Sequence, residues 1–137
     1  MNYWLLKSEP GTYGWADLVR DRRTHWDGVR NPQATANLKA MKTGDRAYFY
    51  HSGEERAIVG ICEIVKEFHP DPKDKSGRFG MVDVALLEEV KTPVTLQRIK
   101  AEPRLADFKL VRQGRLSVVP VTKEQWTLIA GWGGIKP

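Results

Sequence analysis

Arg46-Ala47-Tyr48-Phe49-Tyr50-His51-Ser52, then Gly53-Glu54-Glu55, then Ala57-Ile58-Val59-Gly60-Ile61-Cys62-Glu63-Ile64-Val65 is the stretch that decides the fold. Aromatic and β-branched side chains fill both apolar runs, and a short polar segment with glycine separates them. That pattern predicts two long antiparallel strands, over Arg46 to Ser52 and Ala57 to Phe68, joined by a tight turn. Gly60 inside the longer run predicts a bend or bulge that helps the sheet curl.

Shorter strands are expected around this pair, at Asn2 to Lys7, Met81 to Val90 and Leu116 to Val121. Helices fall between them irregularly. Gly14 is placed to cap a helix from Trp15 to about Arg20, with Asp17 well set against the helix dipole. Asn31 followed by Pro32 gives an amide cap and then proline at the first helical position. That helix is expected to run to about Met41, with Gly44 as a left-handed C-terminal cap. Thr95 to Ala101 predicts a short helix broken by Pro103, and Leu105 to Leu110 a second turn. Thr122-Lys123-Glu124-Gln125 is a capping box opening a last helix through about Ala130. Pro70 to Gly80 is polar loop. Without regular strand–helix alternation, the class is α+β (mixed): a curved antiparallel sheet or small barrel with flanking helices.

A chain of 137 residues suffices for one domain and too little for two ordinary ones. Lys and Arg exceed Asp and Glu to give a net charge of +5, and the sequence pI is about 9.4, which suits a partner bearing phosphates. The hydrophobic fraction of 41% argues against disorder. No apolar run approaches the roughly 18 residues of a membrane span, and no export signal is evident, so a cytoplasmic protein without a membrane partner is expected. The single Cys62 excludes an intramolecular disulfide and a multi-thiolate zinc site, and within its strand-like run it reads as an inert, packed thiol.

Tests for catalysis come out thin. The chain has no Walker loop, no GxSxG elbow and no HExxH pair. His25, His51 and His69 are widely spaced, and no carboxylate spacing beside them suggests a metal. His69, next to Pro70 and Asp71, reads as a solvated loop residue. Asp71-Pro72-Lys73-Asp74-Lys75-Ser76-Gly77 resembles a calcium loop only superficially, lacking the ligand run and the closing Glu. Ser8 and His51, with Glu9 as orienting acid, form the one conceivable nucleophile–base set, but no glycine-built elbow supplies an oxyanion site.

Recognition chemistry is better represented. Trp26-Asp27-Gly28-Val29-Arg30-Asn31-Pro32-Gln33-Ala34 packs an aromatic plane, a glycine, a guanidinium and two side-chain amides into one connection before a helix. Lys7-Ser8-Glu9-Pro10 and Tyr50-His51-Ser52 likewise carry polar groups out of apolar runs. Flat ligands with polar edges, nucleobases above all, need that combination. Trp26 is suited to stack on a base, a contact worth about 1–3 kcal/mol, and as a pocket aromatic it is expected to be replaceable by alanine without loss of the fold. Backbone amides at Gly28 and Val29 can meet a base edge, and Ser8, Ser52, His51 and Asn31 can complete its recognition. Lys7 and Arg30 supply charge for a phosphate. Each has a plainer alternative: Asn31 as a helix cap, Arg30 paired with Asp27 or Glu9, the segments as ordinary turns. Trp4, Trp15, Trp126 and Trp132 read as packing residues.

Tyr3-Trp4-Leu5-Leu6-Lys7-Ser8-Glu9-Pro10, Trp26-Asp27-Gly28-Val29-Arg30-Asn31, Gly44-Asp45, Phe49-Tyr50-His51-Ser52, Val59-Gly60-Ile61, and Leu116-Ser117-Val118-Val119-Pro120-Val121 followed by Trp126 together resemble the EVE domain family. The resemblance covers 1–137 as a single domain. It implies a PUA-like curved sheet or pseudo-barrel, related to YTH and ASCH domains, and a binder of modified bases in DNA or RNA that takes the base into an aromatic-lined pocket. The pocket it implies is Lys7, Ser8, Trp26, Gly28, Val29, Asn31 and the Tyr50-His51-Ser52 strand end. Where many members have an aromatic followed by Gln-Ala-Arg-Asn, this chain has Pro32-Gln33-Ala34-Thr35-Ala36. The expectation is therefore a non-enzymatic reader, monomeric, with no cofactor and no metal. An enzyme acting on nucleotide or nucleic acid through Ser8, His51 and Lys7, and a binder of free nucleosides, are the alternatives.

Overall fold

The computed structural model describes residues 1–136. The expected strand pair forms as β3, Arg46–His51, and β4, Ala57–Pro70, antiparallel and with a shift of register between Phe49 and Tyr50. The opening strand β1, Tyr3–Ser8, lies parallel to β3, with Ser8 level with His51. Its other side takes the late strand β6, Val118–Val121. The long strand β5, Gly80–Thr95, pairs with β4 and on its far side with β2, Arg23–Trp26. The result is a six-stranded open sheet in the order β2-β5-β4-β3-β1-β6. Four register shifts along the β4–β5 ladder curve it, as bulges do. The α+β curved sheet is thus present, unclosed. Among the described residues no helix is long and apolar enough to cross a membrane.

Two elements differ from expectation. The strand β2 is not among the expected strands, because Arg23-Thr24-His25-Trp26 has no apolar alternation of its own; its pairing partner is some sixty residues away by sequence, as in His25 level with Asp83. The helix after Asn31 ends at Ala40, with Met41 extended at ψ 143°, and Gly44 instead makes the turn into β3, donating its N–H to the Ile64 carbonyl at 2.9 Å. Elsewhere boundaries move by a few residues. β5 runs on past Val90 to Thr95, and the segment around Leu105 divides into a 3-10 turn, Pro103–Leu105, and a helix, Lys109–Arg112.

The helices needed below are α1, Trp15–Asp21, α2, Pro32–Ala40, and the last one, Lys123–Gly133, opened by the expected Thr122–Gln125 capping box. The sheet's central strands are buried on both faces: Trp4, Leu5 and Leu6 on β1, and Ala47 to Tyr50 on β3. Trp126 of the last helix stacks on Tyr48, centroids 3.8 Å apart, and on Tyr3 at 4.6 Å, while the Tyr48 hydroxyl donates to the Trp126 carbonyl. Buried Asp45 anchors the N-terminal strand, accepting from Asn2 N–H, Trp4 Nε1 and Lys42 N–H at 2.9–3.0 Å, so its charge is met by three donors. Cys62 is buried, and burial pushes its thiol up to about 12, in line with an inert packing role.

Candidate nucleic-acid interface

A cleft of about 560 Å³ opens where β1 and β2 end. β1 delivers Lys7 and Ser8, and the loop behind it adds Glu9, Thr12 and Tyr13. β2 delivers Thr24, His25 and Trp26, and the following connection adds Asp27, Gly28, Val29 and Arg30, with Ser117 closing the rim. Six of the residues proposed from sequence, Lys7, Ser8, Trp26, Gly28, Val29 and Arg30, therefore share one wall-to-wall site.

The local structure explains each placement. Gly28 has φ +76°, a left-handed turn that a side chain would strain, and space is open above its Cα. That turn sends Val29 inward, where it is buried, and leaves Arg30 at the rim. The Arg30 guanidinium reaches buried Asp71 at 3.4 Å and lies over the Phe79 ring at 5.1 Å. Its acid is thus Asp71, from the loop after β4, and neither Asp27 nor Glu9. Lys7 Nζ donates to the Gly114 carbonyl at 2.7 Å and approaches the Tyr50 ring at 5.9 Å; burial pulls its pKa below the usual lysine range.

Trp26 is only 9% exposed and meets Phe49 edge-to-face at 5.5 Å. It is a wall of the cleft and a member of the core at once, which overturns the expectation that alanine there would leave the fold untouched. Tyr13, half-buried at the cleft and holding Asp21 through its hydroxyl at 3.0 Å, is the second aromatic of the site and was not anticipated. The Pro10-Gly11-Thr12 turn that brings it back beside Ser8 carries no aromatic pattern to mark it.

The remaining proposed residues face elsewhere. Asn31 is the cap of α2, its Oδ1 accepting from Ala34 N–H at 3.0 Å, and it does not line the cleft. Tyr50 and Ser52 line a neighbouring hollow of about 340 Å³ with Arg56 and Lys100, on the far side of Lys7, which borders both. His51 turns away: its Nε2 accepts the Trp15 N–H at 2.9 Å, capping α1, and its Nδ1 holds Glu55 at 2.6 Å. Ser8 donates its hydroxyl to the Tyr13 carbonyl. The two side chains of the conceivable nucleophile–base pair are each bonded to something else, and no Ser8–His51 hydrogen bond exists among the described residues. In α2, Thr35 is buried, and its hydroxyl is the one buried side-chain polar atom without a partner among the described residues. It does not line the cleft, and it stands at the position where many members of the resembled pattern have an arginine.

At the β2 side of the cleft, His25 and His69 meet Asp83. His69 belongs to the end of β4 and is largely buried, so it is no solvated loop residue; the bulge between Lys66 and His69 carries it onto the same face as Asp83. Burial tends to raise the Asp83 carboxyl, but hydrogen bonds from His25 and Arg23 and the nearby imidazoles outweigh it, and the group lies below the usual carboxylate range.

The model of the EVE domain matches residues 2–132. Thymocyte nuclear protein 1 of Rattus norvegicus is 35% identical over 93% of this chain and 72% of its own length. A protein of Rhodopseudomonas palustris solved by NMR is 50% identical, with a TM-score of 0.93 over 98% of this chain and 94% of that one. Human THYN1 protein, solved in complex with DNA containing 5-methylcytosine, is 32% identical with a TM-score of 0.89, each chain covered in full. An ASCH protein of Zymomonas mobilis, 12% identical at a TM-score of 0.61, shares the fold alone. The match over nearly the whole chain and these relatives agree: the chain belongs to the EVE domain family.

Proposed function

We propose that this domain is a non-enzymatic reader of a modified base in nucleic acid, with the base held in the cleft at the ends of β1 and β2. The observation that carries this reading is the convergence of Trp26, Tyr13, Gly28, Lys7 and Arg30 on one opening of about 560 Å³. That volume lies within the range of small-ligand sites and exceeds what one base fills, leaving room for its sugar. Aromatic walls meet the base faces, the Gly28 and Val29 backbone and the Ser8 and Thr24 hydroxyls face its edges, and the two cations stand where flanking phosphates pass. Human THYN1, whose solved chain is 32% identical and covered in full, was solved with 5-methylcytosine-containing DNA, which makes that base the first to try. The non-enzymatic part of the reading is supported by the engagement of Ser8 with Tyr13 and of His51 with Trp15 and Glu55, which leaves neither free to activate the other.

The test is a binding screen of otherwise identical oligonucleotides, DNA and RNA, bearing different modified bases, with free nucleosides alongside and salt varied. A reader binds one modification above its unmodified counterpart, with affinity that falls steeply with salt because phosphate contacts release counterions. Equal binding of the free nucleoside at all salt concentrations means a small-ligand pocket instead. Mass spectrometry of the nucleosides after incubation should return them unchanged; a new product lost in Ser8→Ala or His51→Ala marks an enzyme.

A further inference from the structure

Three adjacent strands bring two imidazoles and a carboxylate to one point on the sheet. Asp83 lies on β5 with its side chain 4% exposed. His25 is its direct cross-strand neighbour on β2, Nδ1 to Oδ1 2.7 Å, and His69 reaches the same oxygen from β4, Nε2 to Oδ1 3.3 Å. The two rings stand edge to face, centroids 6.2 Å apart at 70°. All three ligand atoms lie within 4.8 Å of one another.

The hydrogen bonding of His69 is what makes this more than a crowded corner. Its Nδ1 is 2.9 Å from the Glu67 carbonyl, which can only accept, so that nitrogen carries a hydrogen. That leaves Nε2 as the nitrogen facing a carboxylate oxygen, at 3.3 Å, with a lone pair available whenever it carries no proton. A nitrogen and a carboxylate oxygen so placed hold a cation between them, either a proton or a metal ion. The nearby guanidinium does not fill that role, because Arg23 binds the other carboxylate oxygen, Oδ2, at 3.1 Å. A ring held by a backbone carbonyl with its second nitrogen aimed at an oxygen donor is also how metal-bound histidines are oriented.

We infer that His25 Nδ1, His69 Nε2 and Asp83 Oδ1 form a binding site for a divalent transition-metal ion of the Zn²⁺ type, at the β2 rim of the cleft. Two imidazoles and one carboxylate are a borderline donor set, suited to Zn²⁺ and its neighbours and poor for Mg²⁺ or Ca²⁺. With metal–ligand bonds of about 2.0–2.1 Å at tetrahedral angles, ligand atoms stand roughly 3.3 Å apart. The His69–Asp83 pair already has that separation, 3.3 Å, while the closer His25 nitrogen, now hydrogen-bonded to the carboxylate at 2.7 Å, must release that hydrogen and back away by about half an ångström. His25 can do so, since its side chain is 63% exposed. Three protein ligands leave a fourth position for water or an anionic oxygen, and His25 also lines the cleft.

The experiment is a titration of untagged, metal-free protein with Zn²⁺ in competition with a chromophoric chelator, repeated with Co²⁺ followed by visible absorption. One equivalent of Zn²⁺ should bind, and Co²⁺ should give the intense bands of a four- or five-coordinate site. His25→Gln, which changes an exposed ring and keeps the fold, should weaken Zn²⁺ by more than roughly tenfold, as should His69→Gln, since even supporting groups have effects of that size. Ca²⁺ should not compete. Absence of stoichiometric Zn²⁺ binding by the wild type, or binding that both variants leave unchanged, overturns the inference and leaves a proton as the cation between His69 and Asp83.

Discussion

The Trp15 indole lies directly over Gly60: a Cβ built on that glycine would sit 2.2 Å from Cη2 and 2.4 Å from Cζ2 and Cζ3. Trp15 is the first residue of α1 and Gly60 sits at the β4 bulge, so the contact fixes how the helix that follows the cleft loop rests on the sheet. The ring also meets Phe49 edge-to-face at 5.4 Å and donates Nε1 to Glu89 at 3.3 Å, which leaves it nowhere to move. Gly60→Ala should therefore destabilise by at least the 1–3 kcal/mol typical of overpacking. Urea unfolding checks this. In a Trp15→Phe background the same substitution should cost clearly less, the signature of coupled neighbours.

Trp26→Ala should unfold at markedly lower denaturant, by about 3–5 kcal/mol, because the ring it removes is buried against Phe49 as well as facing the cleft. Trp26→Phe keeps most of that packing and is the variant in which to measure binding. If the ring supports the base, its affinity for the modified oligonucleotide should drop while its melting temperature falls less than that of the alanine variant.

Arg30→Ala should lower the slope of log affinity against log salt by about one unit if the guanidinium contacts one phosphate. The same variant leaves Asp71, nearly fully buried, with only its bond to the Lys73 N–H at 2.9 Å, so a loss of stability should accompany the change of slope. Titration at several salt concentrations and a melting curve read the two effects separately.

A base inside the cleft cannot remain stacked in a duplex, so it has to swing out at a cost of a few kcal/mol, least for unpaired or mismatched bases. Single-stranded or mismatched oligonucleotides carrying the right modification should bind more tightly than the matched duplex. Equal affinities would sink the flipped-base reading.

Asp74 organises the loop between β4 and β5. Its carboxylate accepts the Ser76 hydroxyl at 2.7 Å and N–H groups of Ser76 and Phe79 at 3.1 and 2.8 Å, and these bonds, the Ser76 side chain foremost, hold it below the ordinary aspartate value. A depressed carboxylate stabilises above its unfolded pKa, and that contribution disappears as pH falls through the folded value. The Phe79 amide should keep its protection from hydrogen exchange down through about pH 3.9, the ordinary aspartate value, and lose it only as pH falls further. Asp74→Ala, which leaves no acceptor, should lose it at all pH values.

Local signals carried most of the fold. The aromatic and β-branched runs from Arg46 to Phe68 marked the central strand pair, Asn31-Pro32 marked the start of α2, Thr122 to Gln125 that of the last helix, and Gly60 the bulge. What escaped was set by distant pairing. Arg23 to Trp26 has no strand pattern and becomes one only against β5, and that same pairing brings His25 level with Asp83. The cleft divides likewise. Lys7, Ser8 and the Trp26 to Arg30 run stood out as polar groups leaving apolar segments. Tyr13, the Arg30–Asp71 pair and the turn of His51 toward Trp15 depend on which loops meet in space, and spacing along the chain carries no trace of that.

The sheet stops at β2 on one side and β6 on the other, each four residues long. Open margins of this kind invite other chains to add strands, and both are blunted here. β2 presents Arg23 and His25, while β6 contains Pro120 and has its Val118 carbonyl taken by the Asn37 side chain of α2 at 2.8 Å. Backbone-to-backbone templating is thus disfavoured on both flanks, by charge at β2 and by proline and a side-chain amide at β6, which works against fibrillar growth.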